Sequence, residues 1–525
     1  MKIALAQLEL RAGFPQLNTQ KIIRFIYEAK RNGANVIVFP DNAIFGAPTD
    51  GQPEIIQADI DACRQQINAA GAGIDVIIGS IDSDAQQRKG FAVDNKATFF
   101  EIKHESAAVG STEKKSFLGR ILGSGAKQKI KVNPVGIANV GKFIYLYAGG
   151  STVVNAKGAT VLRAEPFKEQ MLYVESEEID KMPAVEDIDR SEAEKIYLAL
   201  KYGTKRYLEL IGMSKIVIGI SGGIDSAVGA ALYCDVLGAE NVYLVNMPSQ
   251  FNSLTTRGLS EQLAKNLGCQ YMIVSIQETI DATVKQLEST PVKLLSDGST
   301  SNLVMTAFVQ ENMQARDRSA RVLAAVAASL GCGFTCNANK AESTIGYATL
   351  YGDCAGILAA TADLWKYQVY ELAEYLNSEV YGREVIPQGI IDIVPSAELS
   401  TAQNVDEGKG DPVKYDYHDY LFRAFVEDNR TPEDILKAYA DGRLSMEIGC
   451  DRNLLDEYFT SYKAFIDDLE RWWNLYKGVA VAKRLQAPPS IVVSGKPFSS
   501  NEIMNGAYYT QGYETLKNIL LNGAN

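Results

Sequence analysis

One segment near the middle of the chain constrains both its fold and its chemistry. Residues 216–220 form an apolar run typical of a buried parallel strand, and residues 221–226 read Ser-Gly-Gly-Ile-Asp-Ser before a helix of small residues begins. A turn of this kind leaves backbone N–H groups unpaired at a helix N-terminus, where they and the helix dipole attract phosphate. The segment therefore predicts an α/β fold with a phosphate-binding loop between a strand and a helix.

The side chains of this loop favour a bound nucleotide over the alternative, a glycine turn without a ligand. Gly222 and Gly223 let the backbone approach an anion, and Ser221 and Ser226 offer hydroxyl donors. Asp225 would repel phosphate unless Mg²⁺ lies between them. The loop is neither a Walker A motif nor a dinucleotide fingerprint, because both spacings are absent. It resembles the pyrophosphatase-type loop of enzymes that split ATP into AMP and pyrophosphate.

Length and composition indicate an ordinary globular protein of two or more domains. The chain has 525 residues, 46% hydrophobic and 22% charged. Its 52 Lys+Arg against 64 Asp+Glu give a net charge of −12, which argues against nucleic-acid binding or a membrane-surface role. No apolar run is long enough to span a bilayer and no signal peptide is recognisable, so we expect a cytoplasmic protein. The seven cysteines are scattered and only two histidines exist, so we expect no zinc site.

The order of predicted elements indicates two α/β domains. Residues 1–175 alternate strands and helices and then turn to β structure, and the acidic residues 176–190 indicate a linker. In residues 191–525, strands alternating with helices predict a doubly wound, Rossmann-like parallel sheet, which binds ligands at the carboxyl ends of its strands.

Several local patterns make more specific predictions. A strand is expected at residues 98–103, and a long Ala-rich helix is expected to open with Glu311 and run through Leu330. The Ser/Thr-rich residues 289–301 suggest a mobile loop, and the acidic residues 401–417 suggest a flexible segment. An Ile-rich strand is expected just before Val394.

Polar side chains in the segments after the loop suit adenylation chemistry. Taken singly each is a weak signal, since a lone lysine at a helix start is usually solvated and a lone glutamate usually caps a helix or lies at the surface. Together, Asp225 and Glu342 can hold Mg²⁺ against ATP phosphates, and Lys366 can offset charge on pyrophosphate as it leaves. Arg316 offers a bidentate fork for a phosphate or a carboxylate.

These strings, in this order, resemble the NAD+ synthetase family over residues 191–486. The matching strings are Met247-Pro-Ser, Asn312-Met-Gln-Ala-Arg, Asn339-Lys-Ala-Glu, Tyr351-Gly-Asp, Pro395-Ser-Ala-Glu-Leu and Lys483-Arg-Leu-Gln-Ala-Pro-Pro. Three positions depart from the family pattern, namely Gln250, Asn337 and Ala341, and they leave the contacts to the ATP base open.

The resemblance implies a role for each candidate residue. The loop 221–226 would bind ATP phosphates, and Asp225 with Glu342 would bind Mg²⁺. The other residues implied to contact ATP are Asn337, Lys366 and Ser396. The residues implied to face deamido-NAD+ are Asn312, Arg316, Asp353 and Lys483. The nicotinic carboxylate would attack the α-phosphorus of ATP, and ammonia would then displace AMP from the acyl adenylate. Asp225, Glu342 and Lys366 would carry the catalysis.

The start of the chain resembles the nitrilase-like glutaminase domain that is fused to many NAD+ synthetases. The resemblance lies in residues 2–7, 36–40 and 149–158. That family hydrolyses an amide through Glu, Lys and Cys. Here Asp41 follows Phe-Pro where the glutamate is expected, and its shorter side chain impairs a general base.

The nucleophile of that family has no good counterpart in the sequence. Cys63 is the only cysteine of residues 1–190, and it falls within a predicted helix rather than after a strand. Lys114 or Lys115 lies near the third catalytic position, that of the lysine. The domain is also shorter than in the family, with sequence missing around residues 130–148. The pattern indicates a pseudo-glutaminase retained for packing or oligomer contacts.

Several alternative functions stay open for this chain. The N-terminal domain could guide ammonia from a separate glutaminase partner. The chain could instead be another enzyme with an ATP-pyrophosphatase loop, such as a tRNA thiolase or an asparagine- or GMP-forming amidotransferase. It could also be a non-catalytic nucleotide-binding scaffold. We expect a homo-oligomer, at least a dimer through the synthetase domain.

Overall fold

The computed structural model describes residues 1–41, 43–46, 54–78, 128–186, 189–498 and 506–522. The strand expected at 98–103, Lys114 and Lys115 lie outside the described residues. The chain forms two compact units. The first consists of residues 1–140, 144–206 and 493–495, and the second of residues 141–143, 207–492 and 496–525. The domain boundaries predicted at residues 175 and 190 remain predictions.

The first unit contains a four-stranded sheet with two helices on one face. Strand β1 (Lys2–Gln7) runs parallel to β2 (Val36–Val38), and β2 runs parallel to β3 (Asp75–Ile77). Helices α1 (Pro15–Arg31) and α2 (Glu54–Ala70) share a hydrophobic core with alternate residues of β1, whereas the intervening residues of β1 face a second core. Because successive side chains of β1 point to opposite faces of the sheet and both faces are buried, this part of the chain forms an α/β sandwich.

Among the other described strands of this unit, three pairings are antiparallel. Strand β4 (Lys129–Lys131) pairs with β7 (Thr152–Val154), which pairs with β8 (Thr160–Arg163). The other strands are β5 (Val135–Val140), β6 (Phe143–Ala148) and β9 (Gln170–Glu175). β9 runs antiparallel to β1 and closes the first sheet. It was not predicted, because its residues show neither alternation nor flanking turn residues.

The second unit is built on a parallel sheet of the strands β10 (Ile216–Gly219), β11 (Val242–Asn246), β12 (Gln270–Ile273) and β15 (Gly333–Phe334). Their order in the sheet is β12-β11-β10-β15. From β10 the chain adds β11 and β12 on one side, whereas β15 lies on the other side. This reversal creates a crevice at the carboxyl ends of β10 and β15, which is where open α/β sheets bind ligands. The α/β fold predicted for the chain is confirmed.

Helices surround this sheet and fill the rest of the second unit. The connecting helices are α3 (Glu192–Leu210), which begins in the first unit, α4 (Ile224–Leu237), α5 (Leu254–Leu267) and α6 (Gln277–Ser289). Helix α7 (Ala307–Arg316) continues through a π-helical segment, Asp317–Leu323, into α8 (Ala324–Ser329). The following helices are α9 (Lys340–Ile345), α10 (Lys366–Tyr375) with a π-helical extension to Val380, and α11 (Gln388–Asp392).

The C-terminal helices enclose an aromatic core. They are α12 (Tyr415–Val426), α13 (Pro432–Ala440), α14 (Leu444–Ile448), α15 (Arg452–Tyr458), α16 (Tyr462–Lys477), α17 (Val479–Gln486) and α18 (Gln511–Asn522). A short strand β16 (Ser490–Ile491) follows α17. Within the described part of the chain, no helix is both long enough and apolar enough to cross a membrane.

Four local predictions need correction. The Ala-rich helix begins at Ala307 rather than Glu311, because Thr306 caps it through the N–H of Val309. The residues before Val394 form the short helix α11 instead of a strand. The loop expected at 289–301 contains a hairpin of β13 (Pro291–Lys293) and β14 (Thr300–Asn302). The segment 401–417 is ordered by two 3₁₀ turns and by the start of α12.

Candidate active site

The loop after β10 has the geometry of an anion cradle. Helix α4 starts at Ile224, and none of the described side chains caps its N-terminus. The Oγ of Ser221 accepts a hydrogen bond from the N–H of Gly223 at 3.2 Å, and the Oγ of Ser226 donates to the carbonyl of Gly223 at 3.0 Å. The two hydroxyls therefore hold the turn in place while the helix dipole faces the cavity.

Gly222 is required by its backbone conformation and by its neighbour. Its φ is +89°, in the left-handed region, and a Cβ added there would lie 2.3 Å from the carbonyl oxygen of Thr256. A side chain cannot be accommodated without moving α5, which carries Thr256. The sequence therefore places a glycine where the loop passes closest to another part of the backbone.

Two carboxylates and one ammonium meet at the N-terminus of α4. Asp225 accepts a hydrogen bond from the Nζ of Lys366, which begins α10, and another from the Nδ2 of Asn339 at 3.0 Å. Glu342 lies in the first turn of α9, close enough for its charge to act on both Asp225 and Lys366. The crossover of the sheet brings these three side chains together from distant parts of the chain.

Burial and neighbouring charges shift the pKa of Glu342 and the pKa of Lys366. Burial raises the pKa of Glu342 well above its usual value, and the neighbouring Asp225 carboxylate raises it further. Burial alone would lower the pKa of Lys366, but Asp225 and Glu342 outweigh it, and the net pKa is raised. Lys366 therefore stays positively charged, and the raised pKa of Glu342 reflects the cost of a second buried negative charge beside Asp225.

The carboxylate pair fits Mg²⁺ better than a metal held by protein ligands alone. The described residues contain no group of three or more His, Cys, Asp or Glu side chains arranged to hold a metal ion. Mg²⁺ commonly takes one or two carboxylates and completes its octahedron with water and substrate phosphates. The repulsion between Asp225 and Glu342 is the kind that a divalent cation relieves. Their role as metal ligands remains a prediction.

A cavity of about 420 Å³ opens in front of the cluster. This volume lies in the range of small-molecule sites. All but one of the residues predicted for the synthetase site line it. They are Ser221, Gly222, Gly223, Asp225, Ser226, Asn312, Asn337, Glu342, Asp353, Lys366, Ser396 and Lys483. The structure thus brings these residues together around one space, although their individual roles are untested.

Arg316 is the predicted residue that does not line the cavity. Its side chain is exposed, and its Nε donates to the carbonyl of Leu350 at 3.1 Å. Arg318 lines the cavity instead, where its Nε donates to the carbonyl of Met247 and its Nη2 to Asn252. Two residues apart on a helix, the side chains point in nearly opposite directions. Burial lowers the pKa of Arg318 to about 10, and it remains a cation at neutral pH.

The residues predicted to face deamido-NAD+ surround one turn of the chain. Thr349 donates its N–H to Asp353 at 2.6 Å and its hydroxyl to Asn312 at 3.0 Å. Lys483 donates to the carbonyl of Gly346 at 2.7 Å. Asp353 is open to the cavity but surrounded by protein atoms, which raise its pKa, and burial lowers the pKa of Lys483.

Two residues predicted to contact ATP, Asn337 and Ser396, donate hydrogen bonds to backbone carbonyls. The Nδ2 of Asn337 donates to the carbonyl of Gly219 at the end of β10, at 3.2 Å. The hydroxyl of Ser396 donates to the carbonyl of Gln403 at 2.7 Å. Asn337 thus lies beside the strand that leads into the phosphate loop, and Ser396 lines the same cavity.

Three further carboxylates, those of Glu311, Glu398 and Asp411, line the cavity and were not predicted as site residues. Asp411 accepts hydrogen bonds from the hydroxyl of Tyr347 at 2.9 Å and the N–H of Ala397 at 3.0 Å, and burial raises its pKa. Glu398 has a φ of +47° and accepts from the hydroxyl of Thr256 at 2.7 Å. Glu398 belongs to the matched string Pro395-Ser-Ala-Glu-Leu, so the sequence contained a signal that could have identified it as a site residue. Asp411 falls in the segment expected to be flexible, and nothing in that pattern singled it out.

Of the candidate glutaminase residues of the first unit, the structure describes Asp41 and Cys63. Asp41 follows β2 and is half-buried. Cys63 lies in the middle of α2 with only 1% of its surface exposed, among the apolar side chains of the core that α2 shares with β1. The sequence has no other cysteine before Cys234. The thiol at this position is therefore a core side chain in the described structure.

Comparison with known proteins relates the chain to one enzyme family. A family model described as NAD synthase matches residues 196–448. The glutamine-dependent NAD(+) synthetase of Xylella fastidiosa (strain 9a5c) is 27% identical over 513 residues, which cover 84% of this chain and 91% of that protein. The corresponding protein of Synechocystis sp. is 35% identical over 325 residues, which cover 61% of this chain and 54% of that protein.

Solved structures support the fold over both units. A glutamine-dependent NAD(+) synthetase from Cytophaga hutchinsonii aligns over 99% of both chains with a TM-score of 0.70 and 14% identity. A glutamine-dependent NAD+ synthetase from Acinetobacter baumannii, solved in complex with ADP, aligns over 96% of this chain and 97% of that chain, with a TM-score of 0.59 and 22% identity. At these identities the likeness concerns the fold.

Proposed function

This chain belongs to the NAD synthase family, and we propose that it forms NAD+ from deamido-NAD+, ATP and ammonia. The observation that carries the proposal is the arrangement at the carboxyl end of β10. There the phosphate loop, the Asp225–Lys366 pair and Glu342 face one cavity large enough for small-molecule substrates. Acyl activation by ATP needs positioned charges rather than a nucleophile, and the cavity supplies them.

In the first step we propose that an oxygen of the nicotinic carboxylate attacks the α-phosphorus of ATP. The bond from that phosphorus to the bridging oxygen breaks, and pyrophosphate leaves with the electron pair. The N–H groups at the start of α4 and the ammonium of Lys366 stabilise the charge that gathers on the phosphates. No proton needs to move in this step, so the lack of a histidine in the cavity lining is no obstacle.

Asp225 and Glu342 are the residues proposed to hold Mg²⁺. When bound, the ion neutralises phosphate charge and orients the phosphates for displacement. Lys366 orients the Asp225 carboxylate through its hydrogen bond and adds a positive charge beside the pair.

In the second step the nitrogen of ammonia attacks the acyl carbon of the adenylate. The bond from that carbon to the AMP oxygen breaks, AMP leaves, and the nitrogen loses a proton as the amide forms. We propose that deamido-NAD+ is held by Asn312, Asp353 and Lys483. Arg316 was assigned to the same substrate, but its exposed position makes Arg318 the better candidate for binding an anionic group.

We propose that ammonia, not glutamine, is the nitrogen donor of the isolated chain. The relatives reported above are named as glutamine-dependent, so this part of the proposal rests on Cys63 alone. A thiol in the middle of a core helix cannot approach an amide, and without a thiolate no acyl-enzyme forms. The first unit would then serve packing or oligomer contacts, or guide ammonia from a separate glutaminase. The dimer and the cytoplasmic location stay predictions.

A product assay with the purified full chain tests both parts of the proposal. With ATP, Mg²⁺, deamido-NAD+ and saturating ammonium, we expect NAD+, AMP and pyrophosphate, and no ADP. Absence of NAD+ under these conditions would refute the synthetase assignment. With glutamine in place of ammonium we expect no NAD+, and formation of NAD+ there would refute the loss of glutaminase activity alone. Tight binding of tRNA would favour the thiolase alternative.

A further inference from the structure

The side chain of Asn339 forms a hydrogen bond with each of the two proposed metal-binding residues. Its Nδ2 donates to the Oδ1 of Asp225 at 3.0 Å, and its Oδ1 accepts from the N–H of Glu342 at 3.0 Å. The N–H of Asn339 in turn faces the Oε2 of Glu342 at 3.4 Å. The residue is 0% exposed and caps α9, the helix that carries Glu342. It thus links two carboxylates that are 117 residues apart in the sequence.

The partners of Asn339 determine which way its amide points. The Asp225 carboxylate accepts hydrogen bonds, and the backbone N–H of Glu342 only donates. The NH₂ group must therefore face Asp225 and the oxygen must face α9. No other neutral side chain of this length offers a donor and an acceptor on one planar group. Serine at this position would keep the cap but lose the donor to Asp225.

The residue that follows Asn339 is held by buried ion pairs and a backbone hydrogen bond. Lys340, the next residue, is 0% exposed and forms ion pairs with Asp363 at 2.9 Å and Glu427 at 2.7 Å. Its N–H also donates to the carbonyl of Leu364 at 2.7 Å. A fully buried lysine with two carboxylate partners resists displacement, because moving it would leave buried charges unpaired. The start of α9 is thus fixed. Because Asn339 lies there and donates a hydrogen bond to Asp225, it also restrains the position of the Asp225 carboxylate.

We propose that Asn339 is a positioning residue that sets the separation and orientation of Asp225 and Glu342 for a divalent cation. The inference rests on the proposed function, since it concerns how the proposed Mg²⁺ ligands are arranged. Groups that orient metal ligands without touching the metal commonly change metal affinity by about 10- to 100-fold when they are removed. Asn339 is placed to act in this way on both ligands, because it forms a hydrogen bond with Asp225 and another with Glu342.

Binding of Mn²⁺ to the full chain in the presence of α,β-methylene-ATP, followed by electron paramagnetic resonance, tests the proposal without turnover. We expect Asn339→Ser and Asn339→Gly to raise the Mn²⁺ dissociation constant about tenfold or more. Both substitutes are accepted at helix N-caps, so the melting temperature without metal should change little. In the ammonium-supported reaction, raised Mg²⁺ should recover part of the lost kcat of either variant.

Asn377 provides a matched control in the same unit. Its Oδ1 accepts hydrogen bonds from the N–H groups of Val385 and Ile386, away from the cavity. Asn377→Ser should lower the melting temperature while leaving Mn²⁺ affinity at the parent value. If Asn339→Ser and Asn339→Gly keep Mn²⁺ affinity within about twofold of the parent, the positioning role is wrong and the proposed function stands. If the parent binds no Mn²⁺ with the analogue, the metal assignment fails and this inference fails with it.

Discussion

The ammonium of Lys366 donates a hydrogen bond to the carboxylate of Asp225, and the two side chains are 4% and 17% exposed. The pair joins the first turn of α4 to the first turn of α10, so it lies where two helix N-termini face the same cavity. Negative charge is favourable at both termini. The relationship gives Asp225 a fixed orientation toward the space in which ATP phosphates are proposed to bind.

Asp225→Asn should strongly reduce adenylation while the fold persists. The amide keeps the size of the carboxylate but loses the charge proposed to hold Mg²⁺, and we expect kcat for pyrophosphate release to fall by about 10²- to 10³-fold. Pyrophosphate release at saturating ammonium measures this, and circular dichroism serves as the control for folding. Activity retained within a few fold would contradict the metal assignment.

The strand–loop–helix unit was predictable because its signals are local. The apolar run of β10, the two glycines and the small-residue helix all fall within one short segment, and the structure places them as expected. The matched strings identified Glu342 and Ser396, and Lys366 was predicted from its position at a helix start, but the patterns alone did not show that these residues meet. Their meeting depends on the strand order of the sheet, which non-local contacts determine.

Other features could not be predicted because they depend on tertiary contacts. Arg316 and Arg318 carry the same charge on the same helix, and the sequence does not show which one faces the cavity. Asp411 stands in an acidic segment with Gly and Pro, a composition typical of flexible loops. Contacts with Tyr347 and Ala397 order it, and these partners lie outside its own segment.

Gly222→Ala should disable the phosphate loop. An alanine would be strained at a φ of +89°, and its Cβ would lie 2.3 Å from the carbonyl oxygen of Thr256. We expect a loss of stability of about 1–3 kcal/mol and at least a tenfold loss of ATP affinity, because the loop must shift. Urea unfolding and calorimetric titration with α,β-methylene-ATP measure the two effects.

A neighbouring glycine provides the control for that experiment. Gly223→Ala adds a Cβ at an ordinary backbone conformation, where the nearest atom is the Oγ of Ser221 at 3.4 Å. Stability of this variant should lie close to that of the parent. Equal stability of the parent and Gly222→Ala would mean that the loop has room the structure does not show.

Arg318→Gln and Arg316→Gln form a matched pair that tests which arginine serves the substrates. Arg318 lines the cavity and Arg316 is exposed outside it. Loss of the Arg318 guanidinium should lower kcat/KM for deamido-NAD+ or ATP by about tenfold or more, since hydrogen bonds to charged groups contribute about 1.5–3 kcal/mol. We expect Arg316→Gln to change kcat/KM by less than about threefold. If Arg316→Gln lowers kcat/KM more than Arg318→Gln does, Arg316 is the substrate ligand.

Cys63→Ala should leave ammonium-supported NAD+ formation unchanged. The side chain is 1% exposed in the core of the first unit, so its removal acts on packing and should cost about 1 kcal/mol of stability. The rate with saturating ammonium and the rate with glutamine are measured for the parent and the variant. If glutamine supports the parent and Cys63→Ala loses that activity, Cys63 is a nucleophile and the first unit is an active glutaminase.

Asp419→Asn should reduce the pH dependence of folding stability. Asp419 is 0% exposed and accepts a hydrogen bond from the N–H of Tyr367 at 3.0 Å, and burial raises the pKa of its carboxyl to about 7. In the unfolded chain the pKa is about 4. The folded state therefore binds more protons between these values, and its contribution to stability is complete below about pH 4 and is lost as the pH rises toward 7. The slope is at most about 1.4 kcal/mol per pH unit.

Urea unfolding between pH 5 and pH 8 should show the stability of the parent falling relative to Asp419→Asn, with the difference levelling off above about pH 7. A constant difference across this range would show that Asp419 stays ionised in the folded protein, with Lys366 and the start of α10 supplying enough positive potential to keep it so.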